Sequence, residues 1–390
     1  MTQRLPAINV IVIVAVAAGL LSAGEDEEAR PAANSHPPFS ATADLFDSGN
    51  ETTLGLQTVT GQHRLLYRAS ETGDKFCHHP NLALFKNELY CMWSNGRVDE
   101  DAPGQRILYS RSPDGADWTE PVMLTDDRDG EGICVAAGFL NTPHQLIAYY
   151  TATGGTNFHP ETALWARTSR DGTTWSDPTR IASGFFIEGP RQLEGNRLLL
   201  AGEAVGEARV SQRAQFLSTD APSGLQNWET APIGTYDLNQ FGYTEPSFFR
   251  QPDGTVVATL RNNSGFLYAT ESTDNGRTWS SPLQTNFPDS TARTSAGNLP
   301  DGTAFLINNP LPEQFDRSLL TIALSRDGHT FDRAFLLRGE PTKRRYNGKH
   351  KLDGWQYPHA LVWHESLYVA YSINKEDVGL TQIALSDLNP

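Results

Sequence analysis

The chain has 390 residues, of which 38% are hydrophobic and 20% charged, a composition typical of a globular protein that forms an apolar core. Its net charge is −15 and its isoelectric point is near 5.1. This charge argues against a nucleic-acid partner, because binding to phosphate backbones requires a basic surface. It does not exclude a small anionic ligand, since a few arginines can make the field of one pocket positive.

The N-terminal segment has the pattern of a secretory signal peptide. Arg4 precedes an apolar run over residues 8–21 that is short for a membrane span, and Leu21-Ser22-Ala23 resembles a small-residue cleavage site. We therefore predict a signal peptide over 1–23 and a flexible, acidic lead-in over 24–44. The mature protein is expected to be secreted or periplasmic and to lack a membrane span. An uncleaved membrane anchor is the alternative.

Three cysteines follow, at Cys77, Cys91 and Cys134. An odd number allows at most one intramolecular disulfide. Cys77 and Cys91 are the expected pair if their strands are neighbours, and three buried thiols are the alternative. The spacing of the three does not match a zinc site.

A turn motif recurs along the chain. Its copies are SPDGADW from Ser112, SRDGTTW from Ser169, the stretched STDAPSGLQNW from Ser218, STDNGRTW from Ser272 and SRDGHTF from Ser325. Ser and Asp side chains hydrogen-bond to the backbone of a tight turn, Gly permits positive φ, and we expect the closing aromatic to lie between neighbouring sheets. The aromatics recur 51 to 57 residues apart. A period near 50 in β-rich sequence predicts the blades of a propeller.

Apolar runs of strand length support this architecture, at residues 82–94, 197–205, 255–262 and 366–374. The repeated turn marks five blades. A sixth begins near Tyr357 and lacks a closing strand, which residues 56–68 would supply. We therefore predict an all-β fold with one six-bladed β-propeller over residues 45–390, closed by strand exchange. Seven blades are the alternative.

The repeat also aligns five starts of innermost strands, which should meet at one end of the central channel. Proline recurs there in four copies, and Ala296 takes its place in the fifth. The residues just before it are polar and differ from blade to blade: His78-His79, Glu188-Gly189, Thr244-Glu245, Thr294-Ser295 and Gln356-Tyr357. Such variation is expected of a site that several blades build around one ligand. Solvated strand entries are the alternative.

The repeated turn, Ser-x-Asp-x-Gly-x-Thr-Trp with gapped variants, resembles the Asp box of sialidase-like β-propellers. The segment TEPSFFRQPDGTVVATLRN resembles the sialidase segment that holds a Glu and then an Arg. This implies Glu245 as the partner of a catalytic tyrosine and Arg261 as a ligand of the substrate carboxylate. QFDRSLLTIALSRDGHTF resembles the segment with the next arginine, which implies Arg317 as the second carboxylate ligand. WQYPHALVWHESLYVAYS resembles the segment with the nucleophile, which implies Tyr357.

The chemistry of this set is coherent. Two arginines bind a carboxylate through forked, charge-assisted hydrogen bonds. Tyrosine is a poor nucleophile at its ordinary pKa near 10, but a neighbouring carboxylate activates it by accepting its proton.

The first blade departs from the sialidase pattern. Sialidases carry an Arg-Ile-Pro signature there, whereas this chain has His78-His79-Pro80. In sialidases that signature supplies the first arginine of a three-arginine cluster. Here Arg68, Arg97 or Arg293 would have to take its place. The acid/base aspartate of sialidases lies in a first-blade loop, where the candidates are Asp99, Glu100 and Asp101, and Asp101 is taken as catalytic. Glu188, Arg293 and His359 are further expected to bind substrate.

The two histidines suggest other chemistry. A His with a facing Tyr can remove and donate protons, and with an Arg on a uronate carboxylate such a set suits β-elimination. Some polysaccharide lyases with propeller folds look like this combination. The His78-His79 pair could also ligate a metal, but no third ligand is recognisable. We therefore predict no metal site and no cofactor, apart from a structural Ca²⁺ that the oxygen-rich loops would accommodate.

The sequence leaves three functions open, of which we expect the first. It is a secreted exo-glycosidase that cleaves a terminal acidic sugar from glycans, which requires a third basic carboxylate ligand and an Asp near Tyr357. The second is a lyase or other glycosidase on uronate-containing glycans, with His78 or His79 as base close to Tyr357. The third is a non-catalytic glycan-binding propeller, in which these residues do not converge.

Overall fold

The computed structural model describes residues 36–125, 132–154, 159–206 and 213–388, and nearly all of its regular structure is β-strand. The signal peptide predicted over 1–23 lies outside the described residues. None of the helical segments among the described residues is long and apolar enough to cross a membrane. The prediction of an all-β fold is confirmed.

The described residues form six antiparallel sheets of four strands, which are the blades of the predicted propeller. Before the first blade come β1 (Ser40–Ala41) and β2 (Gly61–Tyr67). Blade 1 contains β3 (Phe76–Phe85), β4 (Glu88–Gly96), β5 (Arg106–Ser112) and β6 (Val122–Met123). Blade 2 contains β7 (Ile133–Asn141), β8 (Leu146–Thr153), β9 (Ala163–Ser169) and β10 (Thr179–Ser183). Blade 3 contains β11 (Arg191–Gln192), β12 (Leu198–Glu203), β13 (Ala214–Thr219) and β14 (Glu229–Ala231).

The second half of the chain repeats the pattern. Blade 4 contains β15 (Ser247–Arg250), β16 (Val256–Leu260), β17 (Phe266–Ser272) and β18 (Leu283–Pro288). Blade 5 contains β19 (Ser295–Asn298), β20 (Ala304–Asn308), β21 (Leu320–Ser325) and β23 (Arg333–Arg338), with β22 (Thr330–Phe331) at the turn. Blade 6 contains β24 (Trp355–Trp363), β25 (Ser366–Ile373), β26 (Asp377–Ala384) and β2. Short 3-10 segments cover Leu238–Gln240 and Leu385–Leu388.

The first strand of each blade lies innermost. β3 packs against β7 on one side and against β24 on the other, and β19 packs against both β15 and β24. The starts of these strands therefore meet at one end of the channel, as the repeat alignment predicts.

An exchanged strand completes the last blade. β2 pairs antiparallel with β26, with Gly61 opposite Ile383 and Leu65 opposite Gly379. The predicted strand exchange is confirmed, and the pairing strand is shorter than the predicted 56–68.

The apolar core consists of clusters between neighbouring blades, and each closing aromatic of the repeated turn belongs to one of them. These aromatics are Trp118 between blades 6 and 1, Trp175 between 1 and 2, Trp228 between 2 and 3, Trp279 between 3 and 4, and Phe331 between 4 and 5. Blades 5 and 6 meet through an apolar cluster as well. The expected position of the aromatics at the blade seams is confirmed.

The hydrogen bonds of the repeated turn are those expected from its residues. In the copy at Ser169, the Ser169 hydroxyl donates to Asp171 (3.0 Å) and accepts from the N–H of Gly172 (2.8 Å). Asp171 accepts two further backbone N–H groups. Ser112, Ser272 and Ser325 also donate to their aspartates. In the stretched copy Asp220 instead accepts from Arg197 (2.9 Å).

Three details differ from the sequence-based expectation. The run 82–94 is not one strand, because Lys86 and Asn87 adopt positive φ (50° and 60°) and form a two-residue hairpin turn between β3 and β4. Part of the predicted lead-in is packed, since Phe39 is buried and β1 pairs with β22. The repeat alignment does not include the inner strand β7, which has no proline; the residues at its register shift are Ala137 and Gly138.

The expected disulfide between Cys77 and Cys91 does not form. Both thiols are buried and are not bonded to each other. Their strands are neighbours, but Cys77 lies opposite Asn95 whereas Cys91 lies opposite Leu82, several residues along the ladder. Two cysteines so far apart in register cannot be bridged.

Candidate active site

Three inner strands have a residue in an unusual backbone conformation at or near their start. His79, Glu245 and Tyr357, each directly before the proline, have φ of 54°, 35° and 53°. Residues before proline normally adopt extended backbone, and a left-handed non-glycine residue costs about 1–3 kcal/mol. In β3 and β24 this residue also lies in a β-bulge that shifts the strand register. All three side chains line one cavity, and in β3 and β24 the bulge redirects the side chain.

That cavity has a volume of about 420 Å³ and is rich in charged groups. Its acidic lining residues are Glu100, Asp101 and Glu245, and its basic lining residues are Arg261, Arg317, Lys349 and Lys375. His79 and Tyr357 also line it. Four cationic side chains in one cavity make its field locally positive in a protein of net charge −15.

Tyr357, Glu245 and Arg261 form a buried hydrogen-bonded group. The Tyr357 hydroxyl donates to Glu245 Oε1 over 2.5 Å. Arg261 donates through one nitrogen to Glu245 Oε2 (2.7 Å) and to the Tyr357 hydroxyl oxygen (2.9 Å). All three residues are at most 6% exposed, so water does not screen these contacts.

The charges within this group are set by its neighbours. Burial alone would raise the pKa of Glu245, but the Arg261 charge and the hydrogen bond from Tyr357 outweigh it and lower that pKa. Burial, and then the charge of Glu245, raises the pKa of Tyr357 well above 10. Glu245 is therefore the base of the pair, and Tyr357 holds the proton that it can accept.

A second glutamate supports this assignment. Glu203, at the end of β12, accepts from the Glu245 N–H (3.0 Å) and the Thr244 hydroxyl (3.1 Å). Burial and the charge of Glu245 raise the pKa of Glu203 to about 8. Glu203 is therefore neutral at pH 7, so the negative charge of the pair resides on Glu245.

Two further cations lie close to the Tyr357 ring. Arg317 donates to Gln356 (2.6 Å), and its guanidinium carbon lies 5.4 Å from the centre of the Tyr357 ring. Lys375, in the turn after β25, lies 5.9 Å from the same ring centre and donates to Glu100 over 2.5 Å. With Arg261, these residues place three buried cations around one tyrosine.

Asp101 is a carboxyl group with an altered acidity. Burial, and next the negative charge of Glu100, raises its pKa to about 7. Its backbone N–H donates to Gln105 (2.9 Å), which holds the loop, while Oδ1 has no hydrogen-bond partner among the described residues. At neutral pH a substantial fraction of Asp101 carries a proton that it can donate.

The two histidines lie against the tyrosine ring. The centre of the His78 ring is 3.9 Å from that of Tyr357, and the centre of the His79 ring is 5.0 Å away, edge to face. Burial, and then the charge of Lys375, lowers the pKa of both imidazoles well below 6.5, so both are neutral at pH 7. No hydrogen bond joins either ring to the Tyr357 hydroxyl among the described contacts.

The family of the chain follows from comparison with known proteins. Residues 87–369, most of the chain, match the BNR repeat-like domain. The chain belongs to the BNR repeat-like family. This BNR repeat-like propeller is 24% identical over 283 residues to a sialidase of Bacteroides fragilis, a match that covers 67% of the chain and 46% of the relative. The chain thus spans about half the length of that relative.

Solved structures show the same fold. A sialidase superposes on 89% of this BNR repeat-like propeller, over 35% of its own chain, with a TM-score of 0.65 and 19% identity. The leech intramolecular trans-sialidase, complexed with 2,7-anhydro-Neu5Ac, superposes on 85%, over 71% of its own chain, with a TM-score of 0.65 and 14% identity. At these identities the likeness concerns the fold, which is that of a sialidase-like six-bladed propeller.

The structure brings most of the predicted site residues of this BNR repeat-like propeller together. Tyr357, Glu245, Arg261, Arg317, His79 and Asp101 line the cavity, and His78 lies directly behind Tyr357. Of the other loop acids, Glu100 pairs with Lys375, and Asp99 accepts from the backbone of Lys349 (2.7 Å).

Glu188, Arg293 and His359 are placed elsewhere. Arg293 is fully buried and donates to Glu188 (3.1 Å) and to the carbonyl of Pro358 (3.3 Å). His359 accepts from the N–H of Leu82 (3.1 Å). None of the three lines the cavity, and their contacts join segments at the inner strands of blades 1, 3, 5 and 6, so their position does not support the expected contact with substrate.

Sequence reasoning missed Lys375 as a site residue. Arg68, Arg97 and Arg293, the candidates for the third arginine, do not line the cavity; Arg68 is exposed, and Arg97 lines a different surface cavity. Lys375 reaches the cavity from a turn of blade 6, where it adopts φ of 55°. Lysine in a polar hairpin turn is usually solvated, so only its burial in the structure marks it as part of the site.

Proposed function

We propose that this BNR repeat-like propeller is an exo-acting glycoside hydrolase that removes a terminal acidic sugar from glycans with Tyr357 as nucleophile. The observation that carries the proposal is the hydrogen bond from Tyr357 to the buried, ionised Glu245 inside a cavity that four cationic side chains line. The similarity of the chain to sialidases supports the same substrate class. The N-terminal sequence supports action outside the cytoplasm.

In the first step the substrate carboxylate binds Arg261, Arg317 and Lys375. The Tyr357 oxygen attacks the anomeric carbon while its proton passes to Glu245. The glycosidic bond breaks, and the leaving oxygen takes the proton of Asp101. A glycosyl-tyrosine and a free alcohol result.

In the second step water attacks the anomeric carbon of the glycosyl-tyrosine. Asp101, now a carboxylate, takes the proton of that water, and Glu245 returns its proton to the Tyr357 oxygen. The free sugar leaves with retained configuration, since two displacements occur at one carbon.

Product analysis tests this proposal. The folded protein is incubated separately with sialylated and uronate-rich glycans, and products are followed by mass and ultraviolet absorbance. We expect a free acidic sugar with no new chromophore. Tyr357→Phe should lower kcat by about 10³-fold or more, as the loss of a nucleophile does in other hydrolases. Tyr346→Phe, outside the cavity, is the matched control and should retain activity; equal activity in both variants would contradict the role of Tyr357.

The contact of His78 and His79 with Tyr357 supports a second candidate, β-elimination on a uronate glycan. A histidine would take the proton from the carbon next to the carboxylate, the bond to the leaving oxygen would break, and a proton donor would protonate that oxygen. The product is an unsaturated sugar that absorbs in the ultraviolet, so the same assay separates the two reactions. The convergence of these groups on one cavity supports an enzyme over a non-catalytic binding module.

A further inference from the structure

His78, His79 and Glu100 form a cluster of ligating atoms at one wall of the cavity. One imidazole nitrogen of each histidine and a carboxylate oxygen of Glu100 all lie within 4.8 Å of one another. His78 Nε2 and Glu100 Oε1 are 3.7 Å apart. Two atoms that each bind one ion at about 2.1 Å in tetrahedral geometry lie about 3.4 Å apart, so a small adjustment would bring this pair into position.

His78 supplies the second observation. It is fully buried, and neither of its ring nitrogens has a hydrogen-bond partner among the described residues. A buried polar atom left without a partner costs about 1–3 kcal/mol, so such an atom in a native protein calls for an explanation. A bound cation next to His78 Nε2 would satisfy that nitrogen.

His79 is oriented in the way that metal ligands usually are. Its Nδ1 lies 3.1 Å from the hydroxyl of Ser94, which also accepts the N–H of Ala136 (2.9 Å). Ligating histidines commonly use the second ring nitrogen for a hydrogen bond of this kind, which fixes the ring. The other nitrogen, Nε2, is then left for an ion.

We propose that His78, His79 and Glu100 bind one divalent transition-metal ion at the wall of the cavity. Two imidazoles and one carboxylate suit zinc or a similar ion better than calcium or magnesium, which prefer oxygen ligands. Three protein ligands leave a coordination position open. That position faces the cavity, since His79 and Glu100 both line it.

Neighbouring cations set the strength of this site. The Lys375 ammonium holds the other oxygen of Glu100, and the charge of Arg317 acts on His78 as well. Their repulsion weakens the binding of a cation. Removal of the ammonium by Lys375→Met is therefore expected to tighten metal binding, a result that a merely structural role of the cluster would not produce.

The test measures metal binding and needs no substrate, so its outcome is independent of the proposed reaction. The folded full-length protein is stripped of metal and titrated with Zn²⁺ by equilibrium dialysis and with Co²⁺ by visible absorption. We expect one ion per chain and the Co²⁺ bands of a low-coordinate nitrogen and oxygen site. His78→Gln and Glu100→Gln should each weaken binding by about a hundredfold or more, since even residues that only orient metal ligands cost 10- to 100-fold.

His144→Gln, which removes an exposed imidazole, is the matched control and should bind as the unaltered protein does. Thermal unfolding of each variant shows that it is folded. The proposal is overturned if the unaltered protein shows no saturable Co²⁺ spectrum, a result that depends on no variant. It is also overturned if folded His78→Gln and Glu100→Gln bind as tightly as the control.

Discussion

The proposed nucleophile, Tyr357, is not activated by a lowered pKa of its own hydroxyl. Burial makes Tyr357 a weaker acid than free tyrosine, so its reactivity depends on Glu245, which Arg261 keeps ionised. Glu203 supports the assignment of the negative charge to Glu245, because Glu203 holds its own proton and accepts a hydrogen bond from the backbone N–H of Glu245. The proton therefore moves to Glu245 during attack and is not lost beforehand.

Asp101 predicts the pH dependence of the proposed reaction. It donates a proton only when protonated, and its pKa is raised to about 7, so kcat/KM should fall as the pH rises through about 7. Asp101→Asn should remove this basic limb and lower kcat/KM by about 10²-fold or more on a substrate with a poor leaving group. The measurement is a pH profile of kcat/KM.

Asp99→Asn is the matched control, because Asp99 belongs to the same loop but does not line the cavity. Its profile should keep the basic limb. If both variants keep that limb, another group is the acid.

The repeated turn joins neighbouring blades as well as neighbouring strands. Gly172 in blade 2 has φ of 80°, and a Cβ there would lie 2.0 Å from the Tyr90 hydroxyl of blade 1. A Cβ at Gly115 in blade 1 would likewise lie 2.7 Å from the Tyr368 ring of blade 6. The turn thus packs closely against the preceding blade. Glycine is required both for this close contact and for the positive φ of the turn.

Gly172→Ala should therefore lower the free energy of unfolding by about 2–4 kcal/mol, from left-handed backbone strain plus overpacking against Tyr90. Gly195→Ala separates the two effects, since Gly195 has φ of 69° but open space around its Cβ position. The control should lose only about 1–2 kcal/mol. Denaturant unfolding measures both, and equal losses would show that the contact with Tyr90 is unimportant.

The sequence predicts the blades because the residues of the repeated turn encode them, whereas the Tyr357–Glu245 pair is implied by the resemblance to sialidase segments. The turn residues and their spacing specify the strands, and the residue directly before the recurring proline lines the cavity in three blades, as His79, Glu245 and Tyr357. Lys375 and its contact with Glu100 could not be predicted, since they join a turn of blade 6 to a loop of blade 1. The spacing of residues within a repeat does not show which charged side chains of turns and loops are buried in the cavity. For this reason the sequence does not distinguish Lys375, which lines the cavity, from Arg293, which does not.

At the scale of the whole molecule, the fold depends on closing the ring. The seam between blades 6 and 1 contains Leu66 of β2, packed with Leu380 of β26 and Leu82 of β3. One strand from the early part of the chain thus completes the last sheet and also contributes to the packing against the first. The position of Tyr357 relative to His79 depends on the same seam, because the two residues belong to blades 6 and 1.

Leu66→Ala should lower the free energy of unfolding by about 2–4 kcal/mol, because it opens a cavity at the closing seam. Leu65→Ala is the matched control, since Leu65 is 48% exposed on the same strand, and it should change stability by less than about 0.5 kcal/mol. Denaturant unfolding with two probes also shows whether blade 6 opens separately. Similar losses in both variants would mean that β2 does not stabilise the seam through its buried face.

The pairing of β2 with β26 also has a kinetic consequence. During synthesis β2 leaves the ribosome long before β26. The two strands, in which Gly61 lies opposite Ile383, can therefore pair only after nearly the whole chain has been translated. Until then the outer edge of the last blade does not exist, and the apolar face of β2 has no permanent partner. Such distant pairing makes folding slow, and an exposed strand invites association with other chains. A chaperone that covers β2 until the ring closes would therefore limit association with other chains.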